Sequence, residues 1–413
     1  MSFQLLDCLY GHIVLPDELG QLAALPIVQR LRHVGLSNVD SVSLPGIAGT
    51  RRYEHVVAVA YLSLNLGLYH RLSDFEKRTL SAAALLHDWA IGPFGHLLEE
   101  AAEYSGVDYD HEKKLESLLN TKRPSETGGV GLQIFYGRQT GLDSWAVKTF
   151  PGDDRRALKA VSQNILGDER LGKLISGRID IDNLDNVCRM AFHMGLEFDK
   201  ALPLKIVQGI EGITDEGLFE LTQPAFANLK IWSSLRETVY QNLMPAMPDF
   251  SAKTMIIHAA GAALSSGVLK SDSWKLTEPM FLATLSETPG FPRETIERWA
   301  LGEYWDTTPI TWFSGNAPSL AALKELDKHL TSVLDRKCFS YRIKDKRHRQ
   351  IQVHVKDAGE RKIGSSSTQW LYAVSSPEKA PFRKKDIKLI LDTVHDRFNT
   401  SAASSGSAEG SLF

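Results

Sequence analysis

A histidine and an aspartate stand side by side inside an apolar run. Ala82, Ala83, Ala84, Leu85 and Leu86 precede His87-Asp88, and Trp89 follows. A carboxylate buried among such neighbours is costly unless it is paired or bound to a cation. A chain carrying this pair must therefore fold around something that satisfies it. Imidazole nitrogen and carboxylate oxygen together suit a borderline or hard divalent ion. Adjacent helical residues point about 100° apart, yet both side chains can reach one ion lying beside the helix. Alone, the dipeptide fits a helix-end pair equally well, so the rest of the chain must decide.

The first 200 residues read as mostly helical. Residues 19–34 carry apolar residues at helical intervals, with Pro26 confined to a first turn or a break. Residues 37–50 are rich in Asn, Asp, Pro and Gly and predict a loop. Residues 52–72 carry Val56, Val57, Val59, Tyr61, Leu62, Leu64, Leu66 and Leu68, a helix with much of its surface buried. Ser73 and Asp74 are capping residues for the next helix, over 75–89. Gly92 and Pro93 break the pattern, and a helix resumes from Phe94 or Gly95. Further helices are expected over 112–119, 153–165 and 180–193. The segment 126–136 holds three glycines (Gly128, Gly129 and Gly131) among and before apolar residues.

The character changes towards the C-terminus. Alternation at 340–343, 351–355 and 370–374 predicts strands, and 381–398 predicts a helix with a basic start. The expected fold class is a mainly α-helical core with a small α+β C-terminal module. The expected organisation is a core over 1–200, a helical extension over 201–330, a basic α+β module over 331–399 and a disordered tail over 400–413. Trp299, Trp305 and Trp312 are candidates for an interface or a pocket.

Composition excludes several classes. Hydrophobic residues make up 43% and charged residues 23%, which fits an ordered globular chain and not a disordered one. Cys8, Cys188 and Cys338 include no CxxC pair, which argues against a disulfide framework or a thiolate zinc site. The net charge of -3 means that a nucleic-acid partner would need a local patch. No apolar run approaches a membrane span, and the first residues do not read as a secretory signal. A cytoplasmic setting with no membrane partner is the expectation.

Four ordered motifs then carry a resemblance. They are TRRYEH (50–55), LLHDWAIGPFGHLLEE (85–100), HE (111–112) and LISGRIDIDNLDNVCRMAFHMG (174–195). Their order and spacing resemble the HD superfamily of metal-dependent phosphohydrolases, and within it the deoxynucleoside triphosphate triphosphohydrolases. An early stretch, DCLYGHI then PIVQRLRHVG, resembles that family's opening, so the likeness covers roughly residues 5–200. It implies an HD-domain fold with His55, His87, Asp88 and Asp182 as metal ligands. The implied cofactor is one divalent ion per site, Mn or Mg first, with Fe, Ni or Zn also admitted by the donor set. Arg52 falls on the family's phosphate-contacting arginine, whose planar donor fork suits phosphate oxygens. His96 falls on the catalytic histidine and Glu99 on its acidic partner, one helical turn apart. His111 matches a position that contacts phosphate or supports that pair, and Glu112 stands beside it. Asp185 is read as a local cap or brace, and His193 as a family position open to a structural role.

The pattern also departs from the family. Ile91 stands where many members carry a second histidine after HD, which argues against a two-metal site. Asn186 replaces a tyrosine that packs near the sugar, and Met190 replaces an acid. The loop RHVGLSNVDSVSLPGIAGT differs from the usual KQLG…VYPGATHT. Asn186 is kept as a substrate contact, and sugar recognition is the least conserved part of the resemblance.

Two function classes follow. One is a phosphohydrolase, either of deoxynucleoside triphosphates or of another phosphoester through the same site. The other is a nucleotide-responsive or nucleic-acid-binding protein. There Arg336, Lys337, Arg342, Lys344, Lys346, Arg347 and Arg349, with Phe339 and Tyr341, would hold a single strand or an effector nucleotide. A solvated charged face explains the same residues. The resemblance implies a homo-oligomer, a nucleotide substrate and, in some relatives, an effector nucleotide.

Overall fold

The computed structural model describes residues 3–37, 43–120, 141–177, 179–244 and 247–402. The glycine-rich segment expected at 126–136 lies outside the described residues, as do 38–42 of the expected loop and the tail beyond 402. Within that loop, Pro45–Ala48 forms one short helix.

The centre of the molecule is the helix Arg52–Leu64. Val56, Val57, Ala58, Val59, Ala60 and Leu62 on it are all fully buried. A helix apolar over so much of its circumference must be surrounded. Helices Asp74–Leu86, Ile181–His193 and Leu202–Val207 pack against it. The second of these central helices, Asp74–Leu86, starts at a reciprocal cap. The Ser73 hydroxyl accepts the Glu76 N–H at 3.3 Å, and the Glu76 carboxylate accepts the Ser73 N–H at 2.8 Å. Pro26 stands at the start of the helix Pro26–Gln29, where its missing N–H costs nothing.

The helix expected over 75–89 stops at Leu86, and His87 is its C-cap. His87-Asp88 thus sits at a helix end and not within a helix. The following turn is held from outside by Arg30. Its guanidinium, fully buried, donates to the carbonyls of Trp89 (3.1 Å), Ile91 (2.5 Å), Trp274 (2.9 Å) and Leu276 (3.0 Å). Buried carbonyls of the turn, which no helix or strand pairs, thereby find donors. The chain re-enters a helix at Leu97–Ser105.

An N-terminal hairpin, Phe3–Asp7 with Gly11–Leu15, gave no sequence signal. It is closed by the Asp7 carboxylate, which accepts the N–H groups of Leu9 (2.8 Å) and Tyr10 (3.1 Å).

The α+β C-terminal region is present. Gln369–Ser376 is its central strand, antiparallel to Phe339–Lys344, Thr311–Ser314 and Asp306–Thr307. Helices Leu320–Leu334 and Lys384–Phe398 supply Leu323, Leu326, Leu330, Ile390 and Val394 to a core with Phe313, Trp370 and Tyr372. Strand pairing crosses the expected boundary at 330. Besides 306–314, the strand Ile351–Val355 pairs in parallel with Phe219–Leu221, which pairs with Ile210–Ile213. These strands inside 201–330 are two to four residues long. That is too short to show a period of two, and each exists through its partner. Ser401–Ala402 also pair, with Thr311–Ser314, where disorder was expected from 400.

One buried carboxylate joins the two regions. Asp327 accepts the Ser340 N–H at 2.7 Å and the Tyr104 hydroxyl at 2.9 Å, linking the C-terminal sheet to the helix Leu97–Ser105. Burial pushes its carboxyl up to about 7, against the pull of those two donors. The stability this group lends is full below an aspartate's ordinary pKa of 3.8 and is lost as pH rises to about 7. Asp327→Asn removes the charge; its Oδ1 can still accept the Ser340 N–H, and its Nδ2 can donate to the Tyr104 hydroxyl oxygen in place of accepting from it. Its stability relative to wild type is expected to improve by on the order of 1–3 kcal/mol between about pH 5 and about pH 8. Urea unfolding at both pH values checks this, and a pH-independent difference would refute it.

Candidate metal centre and acid–base cluster

Three elements converge on one buried point. His55 comes from the first turn of the helix Arg52–Leu64, His87 and Asp88 from the end of Asp74–Leu86, and Asp182 from the first turn of Ile181–His193. Asp182 Oδ1 lies 2.8 Å from His55 Nε2 and 3.7 Å from His87 Nε2. Asp88 Oδ2 lies 3.6 Å from His87 Nε2 and 4.0 Å from His55 Nε2. The His87 ring is aimed by its Nδ1, which donates to the Ala84 carbonyl at 2.8 Å. Both Nε2 atoms are buried, and neither makes a hydrogen bond of proper geometry. Orphaned imidazole nitrogens facing carboxylates are what a divalent ion needs. Donor atoms about 2.1 Å from one ion are separated by roughly 3–4 Å, as these are. His55, His87 and Asp182 bring one donor atom each within reach of a single ion, and Asp88, which is also paired with Arg52, stands beside them.

The charge states agree. Burial would raise the Asp88 carboxyl, but the Arg52 guanidinium beside it holds it below the usual carboxylate range. Asp182 is likewise held low against burial by the two imidazoles. Burial disfavours a charged His55, yet the carboxylates of Asp182 and Asp185 outweigh it and raise its pKa to about 9. Without a cation this pocket retains a proton; an ion with the same sign of charge would replace it.

Asp185 does more than brace its own helix. Asp180 makes the cap, accepting the Asn183 N–H at 2.7 Å. Asp185 Oδ2 is 2.7 Å from His55 Nδ1 and takes Arg189 Nε at 2.9 Å, while Oδ1 accepts Tyr10 Oη at 2.8 Å and Arg189 Nη2 at 3.0 Å. Arg189 Nη1 then reaches Asp7 Oδ2 at 2.9 Å. Asp185 and Arg189 are fully buried. Asp185 therefore fixes the ring of His55 so that Nε2 faces Asp182. The sequence held one signal for this, an acid and an arginine four residues apart on a helix face otherwise apolar.

A second cluster adjoins the first. His96 Nδ1 is 2.7 Å from Glu99 Oε2, and His111 Nδ1 is 2.5 Å from Glu99 Oε1, which also accepts the His111 N–H at 2.8 Å. Burial would raise the Glu99 carboxyl, but the two histidines hold it well below its ordinary range, and Glu99 in turn raises His111. Each carboxylate oxygen is taken by one imidazole. The three side chains thus form a hydrogen-bonded cluster rather than an open ligand set. His96 is left with Nε2 free of Glu99. The backbone leading to it is unusual. Phe94 (φ 57°) and Gly95 (φ 63°) are both left-handed. For a buried phenylalanine this is costly. Its N–H donates to the Glu278 carboxylate at 3.2 Å, and its ring packs on Phe281.

His96, Asp88 and Asp182 line one cavity together with Arg52, Asn186 and Met190. Arg52 is held by Asp88 and by the carbonyls of Gly35 (3.1 Å) and Leu36 (3.3 Å). Asn186 Oδ1 has no hydrogen-bond partner. Tyr240, Lys253 and Lys346 line the same cavity and were not expected there. Glu112 lies instead in a neighbouring cleft, which His96, Glu99 and His111 also line. His193 sits 3.8 Å from Cys8 Sγ, away from the cavity lining. Trp305 stacks on Phe339, and Trp312 lies under Arg347.

The cations of 336–349 do not share one face. Arg336 is buried against Ser376 and the Ala380 carbonyl, Arg347 pairs with Asp345, Arg349 donates to the Gly177 carbonyl, and Lys346 faces the cavity.

The HD domain family matches this chain over residues 52–123, so the chain contains an HD domain. A deoxynucleoside triphosphate triphosphohydrolase SAMHD1 of Xenopus laevis is 32% identical over 100 residues, covering 22% of this chain and 16% of that protein. A SAMHD1 homolog of Dictyostelium discoideum is 22% identical over 210 residues, covering 46% and 36%. An uncharacterised protein of Mycoplasma genitalium is 22% identical over 233 residues, covering 52% and 49%. The chain spans less than half the length of each of these relatives. Among the described residues, no helix is long and apolar enough to cross a membrane.

Asp185→Asn tests the orienting role. Loss of such a contact typically weakens metal binding by roughly 10–100-fold. Calorimetric titration of metal-stripped protein with Mn²⁺ is expected to show this, with Asp182→Asn showing a larger loss. Unchanged affinity in a folded Asp185→Asn protein would remove the role.

Proposed function

We propose that this chain is a metal-dependent phosphohydrolase that cleaves deoxynucleoside triphosphates to deoxynucleoside and inorganic triphosphate. The observation that carries the reading is the convergence of the orphaned imidazole nitrogens of His55 and His87 with the carboxylate of Asp182, beside a cavity that Asp88, Asp182 and His96 line. The HD domain and the names of the relatives point the same way. The ligand set is His55, His87, Asp88 and Asp182; the resemblance puts Mn or Mg first, and two imidazoles with two carboxylates admit Fe, Ni or Zn as well.

A bound divalent ion polarises a phosphoryl oxygen and acidifies water. The chain's own residues do the rest. Arg52 places a rigid cation beside Asp88, where phosphoryl oxygens gain charge. Water oxygen bonds to the α-phosphorus, and the bond from that phosphorus to the sugar 5′-oxygen breaks. One water proton ends on the departing oxygen. His96 moves that proton at Nε2, while Glu99 keeps Nδ1 bonded and so fixes the direction of the ring. His111 holds the other oxygen of Glu99 and so fixes its direction.

A second reading, hydrolysis of another phosphoester, draws on Asn186 and Met190 in the cavity wall. Metal-loaded protein incubated with single and mixed deoxynucleotides and ribonucleotides, with products separated, distinguishes them. Inorganic triphosphate from deoxy substrates alone is the expected result; orthophosphate from monophosphates would favour the second reading. His96 is exposed to the cavity, so His96→Ala should fold normally and lower kcat by roughly 10²–10⁴. A kcat within a factor of about three of wild type would remove His96 from the mechanism.

A further inference from the structure

One buried carboxylate outside the metal and acid–base clusters is bonded towards two residues that line the cavity, without lining it itself. Glu278 opens the helix Glu278–Glu287. Its Oε1 accepts the N–H of Gly35 at 2.6 Å and that of Phe94 at 3.2 Å, while Oε2 pairs with Arg51 Nη1 at 3.2 Å. A carboxylate so deeply buried needs such donors. A Cβ on residue 35 would stand 3.1 Å from Oε1, so the close approach suits the glycine found there.

Each of the two amides leads to a residue of the proposed mechanism. The Gly35 carbonyl accepts Arg52 Nε at 3.1 Å, and the Leu36 carbonyl accepts Arg52 Nη2 at 3.3 Å. The Arg52 N–H returns to the Val34 carbonyl at 2.9 Å. Residues 34–36 therefore hold one edge of the guanidinium while Asp88 takes another. Phe94, left-handed at φ 57°, stands two residues before His96, and its carbonyl accepts the Leu97 N–H at 3.2 Å. It thus sets where the helix behind His96 begins. The start of the Glu278 helix is itself tied to this region. Arg30 bonds at once to the carbonyls of Trp274 and Leu276 and to those of Trp89 and Ile91.

We propose that Glu278 is a positioning residue: by holding Gly35 and Phe94 on one oxygen, it fixes the guanidinium of Arg52 and the imidazole of His96 relative to each other. This rests on the phosphohydrolase reading, in which Arg52 meets the phosphoryl oxygens and His96 moves the proton. The rings of His55 and His87 are aimed by other contacts, Asp185 and the Ala84 carbonyl. Glu278 therefore governs the groups that meet substrate and not the imidazoles of the metal set.

The test compares wild type, Glu278→Met and Glu278→Gln as full-length, Mn²⁺-loaded protein. Methionine removes both acceptors, whereas the amide oxygen of glutamine can still accept the two N–H groups. Glu278→Met is expected to lower kcat for deoxynucleoside triphosphates roughly 10²-fold, as misplacement by about 1 Å does. Glu278→Gln should recover most of that loss. With His96 already replaced by alanine, Glu278→Met should cost at least about tenfold less than it does alone, because the two residues act together. A purely structural role would lower both backgrounds by the same factor. Equal loss in the two backgrounds, no rescue by glutamine, or no loss at all would overturn the proposal. Where Glu278→Met does not fold, Glu278→Asp replaces it, keeping the charge but withdrawing the acceptor by one methylene. Crystal structures of the same proteins give the separation of Arg52 Cζ from His96 Nε2. A changed separation in a protein whose wild type hydrolyses no nucleotide would leave the positioning standing and sink the phosphohydrolase reading. Hydrolysis with an unchanged separation and unchanged kcat would do the reverse.

Discussion

The carboxylate of Asp185 is the contact on which the metal centre depends. It is fully buried, and it is bonded at once to His55, Arg189 and Tyr10. A lone buried carboxylate would be costly. Here Arg189 neutralises it and overcomes burial, holding its pKa at about 2. Asp7, at the closure of the N-terminal hairpin, satisfies the other side of the same arginine. The hairpin, the central helix and the helix of Asp182 are thus locked together by one chain of charges. The direction of the His55 ring is its output. Breaking a buried pair from one side typically costs several kcal/mol, so the orientation of this ligand is bound to the integrity of the fold.

Much of this was legible in the sequence. The gathering of His55, His87, Asp88 and Asp182 and the His96–Glu99 pair follow from short motifs, because metal and proton chemistry demand fixed residue types at fixed helical spacings. Helices such as Arg52–Leu64 and Ile181–His193 show through apolar patterns that any local reading finds. What was not legible depends on partners distant in sequence. Arg30 looks like an ordinary helix residue, yet it clamps the turn after Asp88 by reaching carbonyls up to 246 positions away. The strands Ile210–Ile213 and Phe219–Leu221 exist because Ile351–Val355 lies beside them. Lys346 reads as one cation in a basic stretch, and only the fold separates it from Arg347 and Arg349.

The HD domain also shows how strain is placed. Phe94 holds a left-handed conformation two residues before His96, where a glycine would be cheaper. The Glu278 carboxylate and the Phe281 ring hold it there, both from the helix Glu278–Glu287. The approach to the acid–base cluster is therefore set by a helix nearly two hundred residues later in the chain.

The walls of the cavity begin at Leu36 and end at Lys346. During synthesis, the residues up to Asp182 emerge well before the last wall exists. Yet the turn after Asp88 is tied through Arg30 to the carbonyls of Trp274 and Leu276. The geometry around His87 and Asp88 and the enclosure of the cavity are therefore both completed by segments that leave the ribosome late.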